Sequence, residues 1–506
     1  MIEIMDTTLR DGEQTSGVSF AAHEKLSIAQ MLVNELGVDR LEIASARVSD
    51  GEFEGVRKVS EWGKRSNHLH KLEVLGFVDG GASLHWIEKA GCRVINLLAK
   101  GSYKHVAEQL RRSPEQHFED IRKEVSLARQ MGIDVNLYLE TWSNGMIDSP
   151  DYVFRMIDTL KDLPIKRFMI PDTLGILNPL NTYEYCKQIV ERYPDLQFDF
   201  HAHNDYDLAI ANVFSAVRAG IKGIHTTVNG LGERAGNAPL SSVLAVIKDQ
   251  LHERTNLKEE KINKVSRLVE SFSGIRVAPN RPIVGESVFT QCAGVHADGD
   301  KKNGLYYNDL LPERFGRVRE YALGKTSGKS NIGKNLEALG IIDMDDETMR
   351  KVTERIIELG DKKEIVTQED LPYIISDLLN QETMADQKIK ILNYSLSLAQ
   401  GLRPVATLKI EIDGEAYEQS ASGDGQYDAF MRALRMIYTD LGRPFPMLTN
   451  YSVSIPPGGR TDAFVQTIIS WNFAGIDFKT RGLDGDQTEA AIKATIKMLN
   501  KIESGS

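Results

Sequence analysis

The chain of 506 residues lacks the features that mark secreted, membrane-spanning and nucleic-acid-binding proteins. Its three cysteines, Cys92, Cys186 and Cys292, are too few and too scattered for a disulfide framework or a zinc knuckle. No apolar run is long enough to cross a bilayer, and the formal charge of −11 disfavours binding to nucleic acid or to an anionic membrane. The N-terminal segment has neither the basic nor the apolar region of a signal peptide. We therefore expect a soluble, reduced, cytoplasmic protein with no nucleic-acid or membrane partner.

Up to about residue 275, β-rich runs alternate with amphipathic helical runs. The eight candidate strands are IEIMDTTL, RLEIAS, KLEVLGF, VINLL, DVNLYLE, RFMIPDT, QFDFHAH and GIHTTVNGL. Strands that alternate with helices form parallel sheets through crossover connections. Eight such units are the number in a (β/α)8 barrel, although a doubly wound open sheet stays possible. We predict an α/β fold that begins with a (β/α)8 TIM barrel over residues 1–275.

Polar side chains cluster at the carboxyl ends of these predicted strands, where barrel enzymes carry their catalytic groups. In DVNLYLE, Asn136, Tyr138 and Glu140 share one face, because alternate residues of a strand point the same way. In QFDFHAH, His201 and His203 likewise share a face. The aliphatic faces should meet the outer helices. The polar faces should line the lumen and converge on one mouth of the barrel.

The stretch FDFHAHNDYDLA suggests a metal site, because His201 and His203 lie on one strand face. The nearest carboxylate by topology is Asp11, since strands 1, 7 and 8 are adjacent in a closed barrel. Two imidazoles, one carboxylate and open positions suit Mg²⁺, Mn²⁺, Fe²⁺ or Zn²⁺. Alternatively, the histidines hydrogen-bond lumen carboxylates and Asp11 belongs to a turn, RDGE. The convergence of the strand ends favours the metal.

Three long blocks of the sequence carry a family resemblance. DTTLRDGEQTSGVSF, HAHND and VNGLGERAGNAPL resemble the signatures of the 2-isopropylmalate, homocitrate and citramalate synthases, and the resemblance covers essentially the whole chain. EIASARVS, LGFVDG, LYLETWSNG and FTQCAGVHADGDKK resemble the (R)-citramalate synthase branch. The resemblance implies an acyltransferase that condenses acetyl-CoA with a 2-keto acid and uses Mn²⁺, Mg²⁺ or Zn²⁺. Its implied metal ligands are Asp11, His201 and His203, with Asn237 near the metal.

The same resemblance implies roles for individual residues. Arg10 matches the arginine beside the substrate keto oxygen and Glu140 the acidic catalytic residue, although a lumen ion pair between these two is an alternative. The other implied catalytic residues are His296, which reaches the site from beyond the barrel, and Tyr306. The implied substrate-binding residues are Arg10, Asp11, Leu75, Leu98, Tyr138 and Thr173, and the implied acetyl-CoA contacts are Asp298, Leu305 and Tyr306. Asn303–Gly304 departs from the Gly–Asn order expected beside the thioester.

The choice of keto acid depends on the lumen wall. Tyr138, with Leu75 and Leu98 at neighbouring strand ends, would fill the space of an isopropyl group and leave room for a methyl group. This wall predicts pyruvate, with 2-ketoisovalerate as the runner-up, and it offers no partner for the second carboxylate of 2-ketoglutarate. The alternative is that these three side chains are ordinary barrel packing.

The rest of the chain divides into two regions. Residues 276–385 are a mixed linker region that carries His296 and Tyr306, and residues 386–506 contain a faint repeat. In the repeat, GDGQYDAFMRAL and DGDQTEAAIKAT align with an offset of 61 residues. This predicts a pseudo-symmetric α+β domain. It resembles the regulatory domain of the synthase family, which binds an amino-acid effector, here isoleucine or leucine, with IPPGGRTDA as one wall. We expect a homodimer, and a plain dimerisation domain is the alternative.

Two further reaction classes and a non-enzyme compete with the synthase interpretation. Biotin-dependent carboxyltransferases and acyl-CoA lyases have similar LRDG and HxHN blocks. A carboxyltransferase needs a biotinyl Ala-Met-Lys-Met in this chain or a partner, and TIKMLN is not one. A lyase would not need the C-terminal domain. A non-catalytic amino-acid sensor is disfavoured by the intact set of Arg10, Asp11, Glu140, His201 and His203.

Overall fold

The computed structural model describes residues 1–301, 305–341, 344–361, 388–454 and 465–503, with 366, 368, 371, 374 and 375. The chain forms two compact units. The first consists of Met1–Thr290 and Tyr307–Glu320, and the second of Gln291–Tyr306 and Tyr321–Ser506. No helix among the described residues is both long and apolar enough to cross a membrane.

The first unit contains a closed barrel of eight parallel strands in sequential order. The strands are β1 (Glu3–Asp6), β2 (Arg40–Ser45), β3 (Leu72–Phe77), β4 (Val94–Lys100), β5 (Asp134–Glu140), β6 (Ile165–Asp172), β7 (Phe198–Ala202) and β8 (Gly223–Thr226). β1 pairs with β8, which closes the sheet. The predicted TIM barrel is confirmed, and the open sheet is excluded.

Helices follow the strands and cover the outside of the barrel. They are α1 (Ala22–Gln30), α2 (Asp50–Arg65), α3 (Ala82–Lys89), α4 (Pro114–Gln130), α5 (Trp142–Asp148), α6 (Pro150–Leu160), α7 (Pro179–Arg192), α8 (Ala209–Arg218), α9 (Leu240–Ala245) and α10 (Ile262–Ser273). Local sequence marks the starts of α4 and α7. Ser113 and Gln116 form a capping box before α4, and Asn178 accepts two backbone hydrogen bonds at the start of α7.

The two faces of each strand meet different surroundings, as the alternation predicts. Val135, Leu137 and Leu139 of β5 belong to the large core between strands and helices. Tyr138, between them in sequence, instead packs in a small separate cluster whose members come from five strands. These members are Met5, Leu75, Tyr138, Met169 and, at its edge, Leu98. Because they come from strands around the ring, this cluster fills the barrel interior.

The second unit contains two similar halves at its C-terminal end. Its first part has α11 (Gly294–Lys301), α12 (Lys329–Ala338) and α13 (Asp346–Asp361), and two-residue strands occur at β9 (Thr290–Gln291) and β10 (Glu320–Tyr321). The first half has β11 (Ile389–Ser397), β12 (Val405–Ile412), β13 (Glu415–Ser422) and α14 (Gln426–Asp440). The second has β14 (Met447–Ser454), β15 (Val465–Phe473), β16 (Ile476–Asp484) and α15 (Gln487–Glu503).

Each half is a three-stranded antiparallel sheet followed by a helix, and the two helices begin at the two copies of the sequence repeat. Both helices bury apolar faces in one shared core that includes Phe430 and Trp471. Tyr427 and Thr495 join the two helices by a hydrogen bond of 2.8 Å. The pseudo-symmetric α+β domain is therefore confirmed. IPPGGRTDA and the expected boundary near residue 385 lie outside the described residues, as does Asn303–Gly304.

Candidate active site

Three potential metal ligands meet at the carboxyl ends of β1 and β7. His201 is in β7, His203 follows directly after it, and Asp11 lies in the loop after β1. Nε2 of His201 is 3.3 Å from Nε2 of His203 and 3.3 Å from Oδ2 of Asp11. Ligand atoms bound about 2.0–2.2 Å from one cation lie about 3–4 Å apart. The three buried side chains therefore have the spacing that a single cation requires.

The electrostatics of these residues also suit a cation. Burial, reinforced by the neighbouring His201, lowers the pKa of His203 to about 4, so this ring is neutral near pH 7. Burial opposes ionisation of Asp11, but the charge of Arg10 and the contact with His201 hold the pKa of this carboxyl well below its usual range. A neutral imidazole and an ionised carboxylate are the forms that bind metal.

Asn237 completes the surroundings of this cluster. Its Nδ2 donates to Asp11 Oδ1 at 2.9 Å and to the Leu231 carbonyl at 3.0 Å, while its Oδ1 is buried without a hydrogen-bond partner. Such an orphaned acceptor calls for an explanation, and a cation bound beside Asp11 would supply one. Gly232, with φ at 152°, lets the amide approach, because a Cβ there would lie 2.1 Å from Asn237 Nδ2. The residues present fit a divalent cation.

Arg10 stands beside the cluster and is held by two carboxylates. Its Nε donates to Glu42 Oε2 at 2.6 Å, and its Nη1 donates to Asp11 Oδ2 at 2.8 Å. Glu42 also accepts from Asn96 Nδ2 at 2.8 Å, and Asn136 in turn donates to Asn96 at 2.8 Å. Although burial opposes the charge, Glu42 and Asp11 together raise the pKa of Arg10. The guanidinium is a fixed positive charge whose direction is set by its neighbours.

Glu140 ends β5 and forms an ion pair with Lys100 at the end of β4. Arg10 pairs instead with Glu42 and Asp11, so the alternative of a Glu140–Arg10 ion pair is wrong. The next residue, Thr141, has φ at 61°, which is uncommon for a β-branched side chain. Its backbone N–H donates to Thr173 Oγ1 at 2.8 Å, which fixes the chain direction directly after Glu140.

Tyr138 separates this mouth from the lower barrel interior. It is 2% exposed, and its ring centroid is 5.9 Å from Cζ of Arg10 and 6.3 Å from the ring of His201. Its hydroxyl lies 3.1 Å from Nδ1 of His225 in β8. Burial and the carboxylate of Glu42 raise the pKa of Tyr138, so the phenol keeps its proton.

Below Tyr138 the interior holds a network of paired charges. Nε2 of His225 is 3.3 Å from Oδ2 of Asp199, which also forms ion pairs with Arg40 and with Arg167. Arg40 in turn pairs with Glu73 at 2.5 Å. Burial lowers the pKa of His225 to about 3, although the Asp199 hydrogen bond opposes this shift, so the ring is neutral.

Comparison with known proteins identifies the family. Residues 1–269 match the HMGL-like family, residues 283–364 match the homocitrate synthase post-HMGL domain-like family, and residues 365–503 match the LeuA allosteric (dimerisation) domain. The chain belongs to the HMGL-like family.

Curated relatives of this HMGL-like protein include synthases of two kinds. It is 33% identical over 506 residues to the (R)-citramalate synthase of Methanocaldococcus jannaschii, with 99% of each chain covered. It is 31% identical over 505 residues to the 2-isopropylmalate synthase of the same organism, covering 99% of this chain and 94% of the relative. It is 32% identical over 514 residues to the 2-isopropylmalate synthase of Aquifex aeolicus, covering 99% of this chain and 95% of the relative. The chain is an acyltransferase that converts the acyl group to an alkyl group on transfer, and identities this similar do not separate the two substrates.

The remaining predicted site residues of this HMGL-like enzyme lie in the second unit. His296 is exposed, and its ring centroid is 4.3 Å from that of Tyr306. Leu305 is also exposed, and its backbone N–H donates to the Gly299 carbonyl at 3.2 Å. The structure brings His296 and Tyr306 together, with Asp298 and Leu305 close in sequence. Their roles stay predictions.

Three side chains that are important in this geometry were not predicted from the sequence. Glu42 orients Arg10, Lys100 pairs with Glu140, and His225 holds Tyr138. The signal for Glu42 is the alternation in RLEIAS, where a charged residue stands between Leu41 and Ile43 and therefore points into the lumen. Each pairing joins different strands, and those of Tyr138 and His225 are not even neighbours, so the pairings leave no local signal.

Proposed function

We propose that this acyltransferase is a divalent-metal-dependent (R)-citramalate synthase, which condenses acetyl-CoA with pyruvate in isoleucine biosynthesis. The observation that carries the proposal is the buried ring of Tyr138, which packs with Leu75 and Leu98 beside the candidate metal cluster. This wall narrows the space for the side chain of the keto acid.

The proposed cation ligands are Asp11, His201 and His203, with the orphaned oxygen of Asn237 beside them. Mn²⁺, Mg²⁺ and Zn²⁺ all suit mixed nitrogen and oxygen ligands. When bound, such a cation polarises the keto carbonyl as a Lewis acid. Arg10 adds a fixed positive charge where the keto oxygen becomes negative, and Glu42 aligns it in advance.

Carbon–carbon bond formation requires removal of a proton from the methyl group of acetyl-CoA. Glu140 and His296 are the proposed acceptors of this proton, directly or through a water molecule. The resulting carbanion attacks the keto carbon, whose oxygen takes a proton to become the hydroxyl group. Water then hydrolyses the thioester and releases the thiol of CoA. Asp298, Leu305 and Tyr306 are the proposed contacts of acetyl-CoA, and Thr173 the proposed contact of the keto acid.

Discrimination between keto acids would come from overpacking. Tyr138 is fixed by a hydrogen bond at its hydroxyl and by packing around its ring, so it yields little to a larger substrate. A pocket that fits a methyl group rejects an isopropyl group by about 1–3 kcal/mol, or roughly 10–100-fold in kcat/KM. The second candidate is 2-isopropylmalate synthase, because relatives of that name match at similar identity over the full chain.

We further propose a cytoplasmic homodimer that binds an amino-acid effector, isoleucine, through its C-terminal domain. The match to the LeuA allosteric (dimerisation) domain over residues 365–503 supports this proposal. Light scattering should give twice the chain mass. Isoleucine at millimolar concentration should inhibit more strongly than leucine, and the reverse order would contradict the citramalate assignment.

The deciding experiment follows free thiol during incubation of the purified protein with acetyl-CoA and Mn²⁺ or Mg²⁺. Thiol release with pyruvate, lost on chelation and restored by the cation, is the expected result. A preference for 2-ketoisovalerate would identify a 2-isopropylmalate synthase and contradict the argument from Tyr138. No release with either keto acid would reopen the reaction class.

A further inference from the structure

The geometry points to His225 as a positioning residue that sets the width of the keto-acid pocket by holding the hydroxyl of Tyr138. The inference rests on the proposed function, because it concerns the same pocket. His225 belongs to neither the candidate metal cluster nor its catalytic neighbours, although its ring centroid is 5.5 Å from that of His201.

The contact between these two side chains crosses the barrel. β5 and β8 are not neighbouring strands, yet Tyr138 Oη and His225 Nδ1 are 3.1 Å apart. The two rings meet edge to face, with centroids 5.6 Å apart and planes at 83°. Both side chains are almost completely buried, at 2% and 1% exposure. Among the described residues, Nδ1 of His225 is therefore the hydrogen-bond partner of the Tyr138 hydroxyl.

The other nitrogen of His225 fixes the direction of this hydrogen bond. Nε2 is 3.3 Å from Asp199 Oδ2, and an ionised carboxylate can only accept, so Nε2 carries the proton. Arg40 and Arg167 keep Asp199 ionised and in position. A neutral ring then has only an acceptor at Nδ1, and Tyr138 must donate to it. The three side chains form a hydrogen-bond chain in which Tyr138 donates to His225 and His225 donates to Asp199.

This hydrogen-bond chain determines the position of the Tyr138 ring. The upper side of that ring lies near Arg10 and His201, at the wall of the keto-acid pocket. A buried hydroxyl that loses its acceptor is unsatisfied, and the ring then gains by turning towards another acceptor. Such a turn would widen the pocket. Loss of the acceptor at His225 should therefore weaken discrimination against branched keto acids.

Two substitutions of His225 separate its two hydrogen bonds. In His225→Gln the side-chain amide reaches towards Asp199 and leaves no acceptor at the former Nδ1 position. In His225→Asn the shorter amide presents its oxygen near that position and can still accept from Tyr138. The quantity to measure is the ratio of kcat/KM for pyruvate to kcat/KM for 2-ketoisovalerate.

We expect this ratio to fall about 10-fold in His225→Gln, mainly because kcat/KM for 2-ketoisovalerate rises, and to stay within about twofold of wild type in His225→Asn. Tyr138→Phe should reproduce the fall. The double variant Tyr138→Phe/His225→Gln should show no further change, because both substitutions remove the same interaction. Tyr193→Phe is the matched control, since it removes a partly buried hydrogen bond from the Tyr193 hydroxyl to the Phe154 carbonyl on the outer side of the barrel.

An unchanged ratio in His225→Gln, or additive effects in the double variant, would overturn the inference. If His225→Gln does not fold, Tyr138→Phe alone decides, because an unchanged ratio there removes any role for the hydroxyl. The keto-acid preference of the wild-type protein distinguishes failure of the His225 inference from failure of the proposed function. A wild-type preference for 2-ketoisovalerate overturns both, whereas a pyruvate preference that the variants preserve overturns only the role of His225.

Discussion

The barrel interior holds two layers of polar side chains that differ in how their charges are balanced. In the lower layer Arg40, Arg167, Glu73 and Asp199 pair with one another, so each cation meets carboxylates at ion-pair distance. In the upper layer, potential ligand atoms of Asp11, His201 and His203 converge. Asp11 also pairs with Arg10, and the nearby amide oxygen of Asn237 has no hydrogen-bond partner. Removal of one member of a buried ion-pair network leaves an uncompensated charge, whereas the converging ligand atoms would hold the proposed cation. We therefore expect substitutions in the upper layer to reduce activity and substitutions in the lower layer to reduce the stability of the barrel.

Removal of one upper-layer imidazole should have the largest effect. His203→Ala should lower kcat/KM with pyruvate by at least about 1,000-fold, or roughly 4 kcal/mol, because Lewis-acid stabilisation of the developing negative charge is lost. The bound metal, measured by inductively coupled plasma mass spectrometry, should fall with the activity. The far-ultraviolet circular dichroism spectrum should not change. Full activity in metal-free His203→Ala would refute the mechanism.

Removal of one lower-layer cation should instead destabilise the barrel. Arg40→Met leaves Glu73 without its partner and Asp199 with only Arg167 and His225, and an uncompensated buried charge costs about 3–5 kcal/mol. The urea midpoint of barrel unfolding should fall accordingly, while metal content under saturating conditions stays constant. Arg57→Met is the control, because Arg57 pairs with Glu54 and Glu61 on an exposed helix face. Loss of metal with unchanged stability in Arg40→Met would invalidate the division into layers.

The difference between the layers also explains what sequence could predict. Strand alternation and chain order are local signals, and they were sufficient for the barrel and for the convergence of Asp11, His201 and His203. Strand alternation and chain order could not predict the ion-pair partners of Arg10 and Glu140. Glu42 and Lys100 are chosen by the register between neighbouring strands, which a single sequence does not encode locally.

The contact between Tyr138 and His225 was even less predictable from the sequence. It joins strands that are not neighbours, and its existence depends on the diameter of the closed barrel. The two copies of the C-terminal repeat, by contrast, were visible in sequence. Each copy begins a helix with the same buried pattern, and both helices start where the alignment predicts.

A smaller loss of metal affinity is expected from a substitution of Gly232, whose backbone conformation lets Asn237 approach Asp11. Gly232→Ala places a Cβ 2.1 Å from Asn237 Nδ2, at a φ of 152° that favours glycine. The amide must move, so metal affinity should fall about 10–100-fold, as for other groups that orient ligands. Competition with a fluorescent chelator measures this. Gly132→Ala is the matched control, since it has positive φ but open space around the added Cβ. Equal affinities in the two variants would mean that Asn237 does not support the cluster.

The smallest effect concerns a buried carboxyl that belongs to neither layer. Asp6 shares a face of β1 with Ile4, outside the lumen, and only its Oδ1 has a partner, the Thr8 N–H at 2.9 Å. Burial raises its pKa from 3.8 to about 7. Between these values the folded state keeps a proton that the unfolded state has lost, so this group lowers stability progressively as pH rises, with the full penalty above pH 7.

Replacement of this carboxyl should therefore stabilise the protein in a pH-dependent way. Asp6→Asn removes the ionisation penalty but adds a buried amide, so we expect a net gain of about 1–2 kcal/mol at pH 8. The gain should decrease as pH falls through 7 and become smallest near pH 4, where both forms of the folded protein are neutral at this position. Urea midpoints of the variant and the wild type at both pH values measure it. A gain that does not depend on pH would show that the pKa of Asp6 is the same in the folded and unfolded states, and would contradict the effect of burial.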